Sequence, residues 1–107
     1  MSAPIFEERI YEIQPGRLRE YLERYERDGL PVHERHLGPL VAYFTSEIGV
    51  LNLVIQIRRY ASFEDRARRR AALEADPAWA AYRAANSPLQ VRQENRLLNA
   101  THFSPLQ

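Results

Sequence analysis

The residues of this chain with chemistry to offer are polar side chains set inside otherwise apolar, strand-forming runs: Arg9, Tyr43, Glu47, Asn52, Gln56, Arg58, Glu94 and Arg96. A charge withdrawn from water without a partner is costly, so these groups must pair with one another, sit at a wet edge or line a pocket. Glu with Arg across neighbouring strands is the plain way to satisfy them. His33 and His36 stand three residues apart, which on a helix brings two imidazoles to one side, as two metal ligands require. No clear third ligand accompanies them unless Glu34 or a distant strand carboxylate turns in, and no metal is expected. Either histidine could move a proton near neutral pH, and Tyr43 and Glu47 are further acid or base candidates. Arg66 to Arg70, RARRR, has Glu64, Asp65 and Glu74 as helical neighbours and reads as a solvated face in place of a phosphate site. There is no G-x-G-x-x-G, P-loop or nucleophile elbow.

Composition narrows the function classes. The 107 residues suit one domain, and 45% hydrophobic with 27% charged residues is the balance of a folded protein. A formal charge of +1 gives no net field for holding nucleic acid, which is not expected as a partner. With no cysteine, disulfides, thiolate nucleophiles and iron–sulfur clusters are excluded. The opening residues lack the basic start and apolar stretch of a signal peptide, and no apolar run approaches the roughly 18 residues of a membrane span. The expectation is a cytoplasmic protein that does not insert into membranes.

The elements that must position these groups follow from periodicity. Ile5 to Ile13 alternates on a two-residue period and stops at Gln14-Pro15-Gly16, so it predicts a strand. Its faces, Glu7-Arg9-Tyr11-Ile13 and Phe6-Glu8-Ile10-Glu12, are both mixed, so the pattern does not say which one lines a cavity. Leu18, Tyr21, Leu22 and Tyr25 predict an amphipathic helix that Gly29 and Pro31 interrupt and Gly38-Pro39 ends. Leu40–Ile48 and Val50–Tyr60, separated by Gly49, predict a hairpin with a short turn. Ser62 and Asp65 mark a helix start; Pro77 suits the first position of another that reaches about Asn86. Leu89 to Asn99 predicts a last strand, and the tail from Ala100 is suited to lying along a groove. The order β-α-β-β-α-β is the ferredoxin-like α+β arrangement: two helices on one face of a four-stranded antiparallel sheet, the other face open to pairing.

The residues also resemble a known family. E-x-R-x-Y-x-I-x-P-G at Glu7 to Gly16 is joined by H-L-G-x-L-V-x-Y-F-x-S-E-I-G at His36 to Gly49 and by the run from Tyr60 to Leu73. D-P-A-W at Asp76 to Trp79, Q-E-N-R-L-L at Gln93 to Leu98 and F-S-P-L at Phe103 to Leu106 complete it. Together they resemble the NIPSNAP proteins of the dimeric α+β barrel superfamily. The resemblance implies one domain over 1–107 and a homodimer whose two sheets meet as a barrel. It brings no reaction, because fold sharing alone is analogy. Family members often carry His-x-Trp in the third strand, where this chain has Gln56 and Arg58. That removes a histidine which haem or base chemistry would use, and no cofactor is expected.

The function expected is a homodimer binding a small molecule in a cavity lined by Arg9, Tyr43, Glu47, Asn52 and Gln56, with Glu94 and Arg96 at its rim. An enzyme of this kind would be a cofactor-independent oxygenase or isomerase using Tyr43, Glu47, His33 or His36. The rival is a scaffolding dimer without a ligand, in which the strand charges only pair.

Overall fold

The computed structural model describes residues 3–107. Strand β1 (Ile5–Ile13) is followed by a long helical arm made of α1 (Leu18–Arg24), a π-helical turn (Tyr25–Gly29) and α2 (Leu30–Leu37). Strands β2 (Ala42–Thr45) and β3 (Leu53–Tyr60) form a hairpin. Helices α3 (Phe63–Glu74) and α4 (Pro77–Asn86) come next, then a 3-10 turn (Ser87–Leu89) and β4 (Gln90–Asn99). The sheet is antiparallel in the order β2-β3-β1-β4, the ferredoxin-like arrangement that the element order predicts.

The register decides which face is which. Tyr43 stands opposite Gln56, Gln56 opposite Arg9, and Arg9 opposite Asn95, a row across all four strands. Because side chains alternate along a strand, Glu7, Arg9, Tyr11 and Ile13 share a side with Val54, Gln56, Arg58 and Tyr60. That side packs on the helices. Two apolar clusters form there, one from Tyr25, Val32, Leu37, Tyr60, Leu73, Trp79 and Tyr82, the other from Tyr11, Ile13, Tyr21, Val54 and Leu89, with Tyr43 touching both. The opposite side carries Phe6, Ile10, Ile55, Ile57, Phe44 and Leu98, and among the described residues only the tail lies against it.

The helical ends are built as their residues dictate. Ser62 Oγ accepts from the Asp65 N–H at 3.0 Å, and an Asp76 carboxylate oxygen accepts from the Ala78 N–H at 2.8 Å. The Gly29–Pro31 interruption does not break the arm. Pro31 has no N–H to offer the preceding turn, and a wider π turn absorbs the defect, so the helix continues to Gly38. The hairpin differs from expectation. Its strands end at Thr45 and begin again at Leu53, with a 46–52 loop in place of a tight turn at Gly49. Gly49 and Asn52 both take left-handed backbone (φ 98° and 63°), and the Asn52 carbonyl accepts from the Ile13 N–H at 2.8 Å, tying the loop to β1. The tail does lie along a groove: the Gln107 carbonyl accepts from Arg59 Nε at 2.7 Å, and Ser104 and Leu106 border an apolar cleft with Phe6, Ile57 and Leu98.

Candidate functional site

Between the helices and the sheet, within a single chain, lies a cavity of about 180 Å³. β1 and β3 supply Arg9, Tyr11 and Gln56; the helical arm supplies Tyr21, Tyr25 and His33; α3 and α4 supply Arg70, Trp79 and Tyr82. Glu74, Arg83, Ser87, Gln90 and Gln93 border it as well. Of these Glu74, Arg83 and Gln93 are exposed, so the mouth opens there.

Behind this wall a guanidinium is fully enclosed. Arg58 has 0% exposure and donates to Gln56 Oε1 (2.8 Å), the Gly38 carbonyl (3.0 Å) and Tyr25 Oη (2.8 Å). All three acceptors are neutral, and among the described residues no carboxylate comes within salt-bridge distance of it. The Tyr25 hydroxyl, holding the Arg58 proton donor, lies 2.8 Å from His33 Nδ1, and Arg58 Nη2 itself is 3.2 Å from that nitrogen. A guanidinium only donates, so Nδ1 is an acceptor and the proton of the neutral ring sits on Nε2. Burial, then the charges of Arg58, Arg70 and Arg9, push His33 down to about 2. It is therefore a hydrogen-bond donor on the cavity wall and a poor base.

One buried carboxylate faces these cations. Glu7 Oε2 accepts from Arg66 Nη2 (2.6 Å), Arg9 Nη1 (3.1 Å) and Asn95 Nδ2 (3.2 Å). Burial alone would raise Glu7, but the Arg66 hydrogen bond and the charges of Arg9, Arg66 and Arg70 outweigh it and hold the carboxyl below its usual range. Arg9 also donates from Nε to Tyr11 Oη at 2.9 Å. Arg70 has no hydrogen bond to a described residue; its nearest carboxylate oxygen is Glu74 Oε1 at 3.8 Å. Burial and the like charge of Arg9 pull it below the ordinary guanidinium range. Arg9, Arg66 and Arg70 thus act on the Glu7 carboxylate while Arg58 is held by neutral acceptors, and the interior is electropositive.

The residues singled out from sequence divide between three places. Arg9, Gln56 and His33 line the cavity, and Tyr43 lies beside it, stacked on Tyr25 at 4.8 Å between centroids, its buried hydroxyl without a partner. Burial pushes the Tyr43 phenol far up. Glu47 and Asn52 are in the 46–52 loop, Glu47 exposed. Glu94 and Arg96 are on the opposite side of the sheet, in a ladder where Arg96 meets Glu8 at 2.8 Å and Glu94 at 2.6 Å; cross-strand pairing accounts for them. The expected cavity between two sheets is therefore not where Arg9 and Gln56 point. His36 turns away from His33, its Nε2 2.8 Å from Asp76 Oδ2. Among the described residues no three His, Asp or Glu side chains gather as metal ligands would. Tyr25, Arg70 and Trp79 were missed as cavity residues, since on helices they look like core or solvated positions. The one sequence signal for Tyr25 was the irregularity at Gly29 and Pro31.

The comparisons with known proteins concern the whole of this architecture. A sequence profile of the NIPSNAP family matches residues 6–105. Protein NipSnap of Drosophila melanogaster is 34% identical over 103 residues, 96% of this chain but 37% of that protein, so the chain spans little more than a third of that relative. A crystal structure of a NIPSNAP family protein from Agrobacterium tumefaciens superposes with TM-score 0.96 at 42% identity, covering 100% of this chain and 94% of that one. A candidate antibiotic biosynthesis monooxygenase from Caulobacter crescentus shares the fold alone, with TM-score 0.68 at 14% identity over 94% of this chain and 92% of that one.

Proposed function

The chain belongs to the NIPSNAP family, and from that premise we propose that it is a homodimeric small-molecule-binding protein whose ligand is a small organic anion held inside each protomer. The observation that carries this reading is the excess of positive charge around the enclosed cavity: Arg58 is sealed in with neutral acceptors only, and Arg70 borders the space without a hydrogen bond. A buried guanidinium costs several kcal/mol unless compensated, and an anionic ligand supplies the missing compensation. Neutral donors lie near the cavity as well. His33 offers Nε2–H, and Trp79 Nε1 is buried with no acceptor.

The same chemistry weighs against proton abstraction. Glu7 is held ionised under three donors, His33 resists protonation, and burial pushes Tyr25 and Tyr43 far above their usual range, so none of these four is poised near neutral pH as a general base should be. Pairing of two copies through the uncovered sheet face is the companion proposal, supported by the apolar Phe44, Ile55, Ile57 and Leu98 on it.

Thermal unfolding of the purified protein in the presence of acetate, malonate or phosphate, each set against a neutral amide or ester analogue, tests the reading. Stabilisation by one or more anions, absent with the analogues, is the expected result. Equal shifts from neutral and anionic partners would overturn the anion reading, and no shift from any of them would leave the protein as a scaffolding dimer.

A further inference from the structure

The size and wall chemistry of the cavity narrow the ligand further. Resting on the organic-anion reading above, we propose that the ligand is a one-ring aromatic monocarboxylate the size of benzoate, its carboxylate on Arg70 and Arg9 and its ring among Tyr25, Trp79 and Tyr82.

Volume sets the scale. A closed apolar cavity of about 150 Å³ accepts one benzene, and the 180 Å³ here leaves room for one ring with a small polar head but not for two fused rings. The head is specified by what the guanidinium groups lack. Arg9 spends Nε on Tyr11 and Nη1 on Glu7, and its Nη2 has no partner among the described residues. Arg70 spends none of its donors, the Glu74 carboxylate standing 3.8 Å away at the mouth. Planar guanidinium forks match carboxylate geometry in a bidentate way. A phosphate would bring a second negative charge, whereas Glu7 already neutralises part of this cluster, so a single charge suits it better.

The body is specified by the rings of the lining. Trp79 stacks on Tyr82 at 5.0 Å between centroids and lies 4.3 Å from the His33 ring, and Tyr25 meets Tyr82 edge-on at 6.0 Å. Such a set of rings favours a flat, apolar guest by offset and edge contacts. His33 Nε2–H is a donor beside those rings and suits an acceptor on the guest, while the Glu74 carboxylate stands at the mouth.

The test is isothermal titration calorimetry of the full chain with sodium benzoate, benzamide, acetate and 2-naphthoate. Benzoate should bind about tenfold or more tighter than each of the other three, with quenching of Trp79 fluorescence as the ring stacks. Arg70→Gln should weaken benzoate by about tenfold or more, and Arg70→Lys should restore it only in part, because an ammonium cannot form the fork. Unchanged thermal unfolding of these variants separates lost binding from lost folding; should either fail to fold, the wild-type ligand series still decides. If acetate binds as well as benzoate, the one-ring assignment falls while the anion reading stands. If benzamide binds as well as benzoate, or no anion binds, both fall.

Discussion

At the residue scale the feature with most consequence is a neutral histidine enclosed beside guanidinium groups. His33 in the folded chain is pushed to about 2, well below the ordinary imidazole value near 6.5. Because the folded pKa is depressed, the unfolded chain binds the extra proton first, so stability is fully present above about pH 6.5 and is lost as pH falls toward the folded value. The slope should approach about 1.4 kcal/mol per pH unit. Between pH 6.5 and 5.5 the depressed carboxylates Glu7, Asp65 and Asp76 have barely begun to contribute. Denaturant titrations across that window should show the slope in the wild type and a much flatter line in His33→Asn. Tyr25→Phe removes the hydroxyl shared by Arg58 and His33 and should cost about 1–2 kcal/mol in the same measurement. Sequence showed Arg9, Gln56 and Arg58 as polar intrusions in strands, which is how half of the site could be seen. It could not show that Tyr25, 33 residues from Arg58, receives that guanidinium, because both faces of β1 are mixed and nothing local reveals which one the helices cover.

At the scale of elements, the helical arm and the hairpin behaved differently from their sequence signals for identifiable reasons. β1 was legible residue by residue because its alternation ends at a Pro-Gly turn, and α3 and α4 because Ser62 caps the one and Pro77 opens the other. The hairpin loop was not, since the exposed Ile48, Val50 and Leu51 carry the β-forming character of strand residues without pairing. The π turn explains why an interruption did not become a break. Gly29 sits inside it, and a Cβ there would lie 2.8 Å from ring carbons of both Tyr25 and Tyr82. Gly29→Ala should therefore destabilise the chain by about 1–2 kcal/mol, the overpacking of two buried rings outweighing the better helix propensity of alanine. A thermal melt of that variant checks it; an unchanged or raised midpoint would mean that the rings yield.

For the molecule as a whole, the sheet separates two tasks. One side holds the charged, ring-lined interior, and the other presents an apolar surface laced by the Arg92, Glu94, Arg96 and Glu8 ladder. Ile57→Arg places a cation in the middle of the second surface and should convert a dimer into a monomer in sedimentation velocity. Because Ile57 points away from the cavity, the monomer should still bind the anion. The sidedness then fixes how a ligand is counted. The cavity lining comes from a single chain, so the proposed dimer should take up one ligand per chain, two per dimer. Uptake would then count chains, a stoichiometry that calorimetric titration reads directly.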